Sequence, residues 1–196
     1  MILSIETSGS NCSVCLSDSG NTIALYSAFG RNIHDKLLAE FARRIFEDFE
    51  IKADDLSAVA VSIGTGSFSG LRIGVSFAKG LCFGGSPKLI AVPTLTAQAI
   101  KHTQYLDLIK KTKIISAIHS HKFLFYYQIF DKDLNSISEI ELVEIEKIKS
   151  IYTDDMLMVS NKFPIPEIEN NILKANLDAE SVSLISKNQI SFPMSN

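Results

Sequence analysis

The chain is poor in the features that mark secreted, membrane-bound or nucleic-acid-gripping proteins. It has only three cysteines, Cys12, Cys15 and Cys82. An odd count with no paired spacing excludes a disulfide framework and points to a reducing, cytoplasmic setting. No apolar run approaches the roughly 18–20 residues of a spanning helix, so no membrane association is expected. The opening residues, MILSIETSGS, have neither the basic start nor the long apolar stretch of a secretory signal. An excess of positive charge is missing too. The formal net charge is −3, which argues against a module that holds a polynucleotide by its own charge. The most basic stretch carries Lys101, His102, Lys110, Lys111 and Lys113 and reads as the solvated end of a helix.

What is present is a large apolar fraction, 46% of 196 residues, enough for one large domain or two small lobes. Residues 2–8 and 12–17 alternate as strands around the turn cluster Thr7-Ser8-Gly9-Ser10. Asp18-Ser19-Gly20-Asn21 is a second hairpin turn, returning through residues 22–28. A helix is expected from residue 33 or 34 to 49 with Asn32 as its cap, a buried strand over 57–63, and a helix over 70–83 after a Gly-rich turn. A strand at 88–92 and a helix at 94–109, capped by Thr94 or Thr96, follow. The first half thus reads βββαβαβα, a mixed sheet flanked by helices. The second half restarts with strands at 113–118, 122–131 and 138–143, a short helix at 144–150 and a strand at 156–160. After that the expectation is a short helix at 172–177 and a last strand at 182–186. No repeat is visible in the sequence.

Two helices carry surplus apolar surface. In the first, Ile33, Leu37, Leu38, Phe41, Ala42, Ile45, Phe46 and Phe49 cover an arc of roughly 200°, about twice what one core face requires. The second has only Arg72 and Lys79 as charges, and two rows of small residues: Gly70, Gly74 and Ala78, then Ser76, Gly80 and Gly84. Each interior glycine costs about 0.8–1 kcal/mol of helix stability, which a close approach of another backbone offsets. Two such helices suggest a helix–helix interface between chains. Glutamate at Phe41 or Ala78 is therefore expected to abolish assembly and leave the fold intact.

Between the strand and the second helix, Gly64, Gly66 and Gly70 surround Ser67, Phe68 and Ser69. A turn at a helix N-terminus favours an anion, yet it lacks the Lys-Ser/Thr of a phosphate-binding loop and the dinucleotide spacing. Phosphate contact and tight packing both remain open here, with Glu6, Thr7, Gly64, Gly66 and Ser67 as the phosphate-facing candidates. Cys12 and Cys15 have C-x-x-C spacing, but an odd offset in a strand sends them to opposite faces. His119 and His121 share a strand face without a third ligand. No catalytic or metal-binding set stands out.

The segments ILSIETS, CSVCLSDSG, HDKLLAEFARRIF, SIGTGSFSGLRIGVSFAKGLCF and LIAVPTLTAQA together resemble the TsaB (YeaZ) family over about residues 1–100. Thr65 stands where that family has proline, and Ser69 where it has threonine. His119-Ser120-His121-Lys122 stands near the place of the family's Asp-Ala-Arg run. The resemblance implies an α/β, actin-like or sugar-kinase-type ATPase fold with ribonuclease H-like lobes, divided at 1–100 and 101–196. It implies a noncatalytic subunit that binds and activates a TsaD-like catalytic subunit and works with a TsaE-like ATPase. Together these place threonylcarbamoyl on N6 of adenosine 37 in tRNAs reading ANN codons. ATP and a metal would be used by the assembled complex and not bound tightly by this chain; tRNA would be met through the complex. The pairing surface, in a homodimer or with the catalytic subunit, falls on Leu37, Leu38, Phe41, Ile45, Ile73, Phe77, Ala78 and Leu81. The competing readings are a nucleotide-binding ATPase or kinase of the same fold and a glycoprotease-like metallohydrolase.

Overall fold

The computed structural model describes residues 1–162 and 172–191. Contacts divide the chain into two units, Met1–Ala97 joined by the segment that begins at Leu177, and Gln98–Asn176.

The first unit opens with β1 (Ile2–Glu6), β2 (Asn11–Asp18) and β3 (Asn21–Phe29). Ser19 and Gly20 join β2 to β3 with φ of 49° and 83°, the pair of positive values that a two-residue hairpin turn needs. After α1 (His34–Asp48) come β4 (Ala58–Ser62), α2 (Phe68–Cys82), β5 (Lys88–Val92) and α3 (Thr94–Thr103). The sheet order is β3-β2-β1-β4-β5, antiparallel from β3 to β1 and parallel from β1 to β5. Strand alternation splits this sheet into two unlike faces. One presents Leu3, Ile5, Cys12, Val14, Leu16, Val59 and Val61, which form the core with Leu38, Phe41, Ala42 and Ile45 of α1 and Ala78 of α2. The other presents Ser4, Glu6, Ser13, Cys15, Ser17, Ala60 and Ser62, all buried.

The second unit holds β6 (Lys113–His121), β7 (Leu124–Asp131), β8 (Glu141–Glu144), α4 (Ile145–Ile151), β9 (Met156–Ser160) and β10 (Ile172–Lys174). Its sheet runs β10-β9-β6-β7-β8, with β6, β7 and β8 antiparallel and β6, β9 and β10 parallel. Three strands in a meander followed by two parallel strands is the plan of the first sheet as well. The two sheets therefore repeat one topology that no residue pattern in the sequence betrays.

Two expectations fail near the C-terminus. Residues 172–174 form the edge strand β10 and not a helix. Residues 182–186 lie inside a helix, α5 (Ala179–Ser191), and not in a strand. The helix contacts β1, β2, β4 and β5, so the chain from Leu177 returns to the first unit, where the sequence reading had put 101–196 in the second. The reason is the serine-rich face. Ala179 N donates to Ser13 Oγ at 2.9 Å, Ser183 Oγ to Ser17 Oγ at 2.8 Å, and Asn11 Nδ2 to the Leu177 carbonyl at 2.9 Å. Val182 is fully buried in this seam. Alternating Val182, Leu184 and serines imitates a strand, whereas polar satisfaction of a small-residue sheet face selects a helix.

Val182→Asp would leave an unpaired carboxylate in this seam, at a cost of several kcal/mol. Hydrogen exchange should then show the α5 amides losing protection while the α1 amides keep theirs.

Candidate partner-binding site

The Gly-rich turn is filled by the chain itself. A Cβ on Gly70 would stand 2.1 Å from the Thr7 carbonyl oxygen, one on Gly74 2.3 Å from Thr7 Oγ1, and one on Gly66 2.6 Å from the Ser8 carbonyl oxygen. These glycines exist so that the β1–β2 turn can lie against the start of α2. Thr7 Oγ1 donates to the Gly70 carbonyl at 2.8 Å, and Ser67 N donates to the Ser8 carbonyl at 2.7 Å. Ser67 caps α2 by accepting from Gly70 N at 3.3 Å. Thr94, at the head of α3, closes the other side: Gly64 N donates to its Oγ1 at 3.0 Å and its own N–H donates to the Gly64 carbonyl at 2.8 Å.

The N–H groups of Gly64, Ser67 and Gly70 are thus already donated within the chain, which takes them from any anion. Glu6 and Thr7 are completely buried, Gly64 is half-buried, and Gly66 and Ser67 are exposed. So the five phosphate-facing candidates do not converge on one accessible site in this chain.

Glu6 sits at the end of β1 beside Ser62 of β4 and Ser13 of β2. Its Oε1 accepts from Ser8 N at 2.5 Å, while its Oε2 and the hydroxyls of Ser4 and Ser62 are buried without a hydrogen-bond partner among the described residues. Burial pushes the carboxyl up from 4.5 to about 7, against the hydrogen bonding from Ser8, and the charge of Asp178 adds to it.

On α1 and α2 the eight expected interface residues divide equally. Leu38, Phe41, Ile45 and Ala78 are buried in the core under the two helices, Ile45 and Ala78 completely. Glutamate at Phe41 or Ala78 would break the fold and not merely assembly, which corrects the expectation drawn from the sequence. Leu37, Ile73, Phe77 and Leu81 are half-buried and pack against the rim of that core. Half of the wide apolar arc of α1 is therefore one deep core face. Asn32 does not cap α1, whose N-cap is Ile33 with no side-chain bond. The two small-residue rows of α2 also separate. Gly70, Gly74 and Ala78 are buried inward, whereas Ser76, Gly80 and Gly84 are exposed, and a Cβ on Gly80 would meet nothing within 4 Å. Phe68 and Phe83, at the two ends of α2, are 75% and 91% exposed; their positions flanking the helix were the available sequence signal for adding them to this surface.

The remaining candidates are structural. Cys12 lies in the α1-side core, and Cys15 on the opposite face near Thr22 Oγ1 at 3.9 Å; burial pushes both thiols up to about 11. His119 Nε2 lies 2.9 Å from the Lys122 carbonyl, and His121 Nδ1 3.1 Å from Ser120 Oγ. No group of three His, Cys, Asp or Glu side chains suited to a metal occurs among the described residues.

Two tests follow from this geometry. Gly70→Ala should destabilise the protein in urea unfolding despite a gain of about 1 kcal/mol in helix propensity, because the new methyl meets backbone that cannot yield. For Glu6, the folded carboxyl titrates near 7 and the unfolded one near 4.5, so the native state holds the extra proton between them. Stability should fall as pH rises through that window and then level off. Glu6→Gln should remove this slope, with urea midpoints at about pH 5 and about pH 8 drawing together.

With this geometry in view, the chain was compared with known proteins. The family model described as "TsaD: tRNA N6-adenosine threonylcarbamoyltransferase" matches residues 30–192. The tRNA threonylcarbamoyladenosine biosynthesis protein TsaB of Escherichia coli is 28% identical over 83% of this chain and 68% of its own length. The protein of the same name from Bacillus subtilis is 30% identical over 55% of this chain and 47% of its own length, so the match spans about half of that relative. Among solved structures, YeaZ from Pseudomonas aeruginosa superposes with a TM-score of 0.78 at 18% identity, covering 97% of this chain and 92% of that one. Two mixed five-stranded sheets with flanking helices are the actin-like fold that the sequence led us to expect. The chain belongs to the tRNA N6-adenosine threonylcarbamoyltransferase family and, within it, to the TsaB (YeaZ) branch, whose members serve tRNA threonylcarbamoyladenosine biosynthesis.

Proposed function

We propose that this chain is a noncatalytic subunit that binds and activates a TsaD-like catalytic subunit through the outer faces of α1 and α2. The observation that carries the reading is one surface strip: half-buried Leu37, Ile73, Phe77 and Leu81 beside the exposed row Ser76, Gly80 and Gly84. Gly80 faces outward inside α2, weakens the helix and fills no internal space, whereas Gly84 lies beyond the helix end at a φ of 73° that favours glycine. A second helix packed closely on that row offsets the weakness, and the apolar rim supplies contact area. The TsaB names of the relatives support a role for the strip in the chemistry of threonylcarbamoyl transfer to adenosine 37. In this reading ATP and metal belong to the assembled complex, a TsaE-like ATPase joins it, and tRNA is engaged through it. A homodimer on the same strip would compete with the catalytic partner.

The tests use positions that do not reach the core. Ser76→Arg should leave the circular dichroism spectrum and urea midpoint unchanged while abolishing co-elution with the catalytic subunit and modification of tRNA. Gly80→Ala should stabilise the isolated chain by about 0.8–1 kcal/mol yet weaken the pair. Full modification by the Ser76→Arg protein would overturn the assignment of this surface. Tight binding of ATP and Mg²⁺ by the chain alone would favour the ATPase reading instead.

A further inference from the structure

The second unit contains a cavity of about 490 Å³, unrelated to the α1–α2 strip. Its wall comes from the end of α3 and the turns after it, through His102, Tyr105 and Ile109, and from the sheet edge, through Leu157 of β9 and Ile172, Leu173 and Lys174 of β10. The volume lies inside the roughly 300–1,000 Å³ of small-molecule sites. Tyr105, Ile109 and Leu173 are 44%, 39% and 40% exposed, so three apolar side chains stay partly wet around one hollow. Such clustering differs from the scattered exposure of an ordinary surface.

Two polar features give the hollow a direction. His102 Nδ1 is buried and has no hydrogen-bond partner among the described residues, a state that costs free energy unless something meets it. Burial, with Lys101 adding to it, holds the imidazole below its ordinary value, so the ring is neutral at pH 7 and offers one donor and one acceptor. Its ring centroid lies 6.4 Å from that of Tyr105, so the two rings form an aromatic wall of the hollow. At the rim, the exposed Lys174 supplies the one positive charge among the described lining residues.

We propose that this cavity is a binding site for a small carboxylic acid with an apolar body. The body lies against the His102 ring, Tyr105, Ile109, Leu157 and Leu173, and the carboxylate meets Lys174. Apolar walls supply contact area and the few polar groups fix orientation, the usual division of labour in such pockets.

The probe is 3-phenylpropionate, with the uncharged 3-phenylpropanol as its control, titrated into the full chain and followed by backbone amide NMR. Saturable shifts of the His102, Tyr105, Leu173 and Lys174 signals in the millimolar range are expected, as befits so small a probe. Lys174→Gln should weaken the acid about tenfold and leave the alcohol unchanged. Ile109→Trp, at a half-exposed wall position, should fill the hollow and abolish both interactions while the remaining spectrum stays native. No saturable shift up to about 30 mM acid would overturn the site. Equal binding of acid and alcohol would overturn its anionic character, and binding that survives Ile109→Trp would place the ligand elsewhere.

Discussion

The first unit depends on the contact between the Thr7–Ser8 turn and the first two turns of α2. Three glycines let two backbones approach to distances that no side chain tolerates. This contact sets the direction in which α2 leaves β4, and with it which face of α2 looks inward. Gly70, Gly74 and Ala78 turn to the sheet because Thr7 occupies that side. Ser76 and Gly80 must then point out. The same turn is held from beyond by Thr94, so the end of β1, the start of α2 and the start of α3 are locked together by hydrogen bonds that use the N–H groups of Gly64, Ser67 and Gly70.

That constraint bears on two chemistries that look alike in sequence. A glycine-rich turn before a helix is a phosphate cradle when its N–H groups are unpaired and its glycines leave room for an oxyanion. Here the room is taken by the chain's own carbonyl oxygens. Residue types and spacing cannot distinguish these cases, because the discriminating atom comes from Thr7, more than 60 residues away in sequence. The acid beside it follows the same logic. Glu6 at a strand end reads as a candidate ligand for a metal-bound phosphate. Its place between Ser13 and Ser62, beneath a face covered by α5, makes it a buried carboxyl that holds its proton far above the ordinary range.

Much of the fold was nonetheless legible. The hairpin turn at Ser19-Gly20, the βββαβαβα order of the first half and the boundaries of α1, β4 and β5 follow from periodicity and turn chemistry, because each element has a strong local pattern. Cys12 and Cys15 fall on opposite faces as strand alternation demands. Where the reading fails, local pattern and tertiary demand disagree. Half of the wide arc of α1, with Leu38, Phe41, Ala42 and Ile45, sinks into the core, while Ile33, Leu37 and Phe46 pack only partly buried at its rim. The stretch at 179–186 has no helical stripe of large apolar residues. Its partners are serines on a sheet face, and a helix that buries serines against serines has no hydrophobic signature to find.

The serine-rich seam also explains how the chain can lend α1 and α2 to the surface and keep a stable sheet. A sheet covered on one face alone would leave Ser4, Glu6, Ser13 and Ser17 to water and would need α1 and α2 for all of its burial. By bringing the end of the chain back over this face, the fold completes the sandwich from the other side. The core-facing side of α1 and α2 then suffices, and their outer side is free of structural duty. Gly80, in the outer row, costs helix stability in a position where the fold gains nothing from it. A residue that weakens its own element and serves no internal contact, as Gly80 does, is the feature on which the proposed packing of a second helix rests.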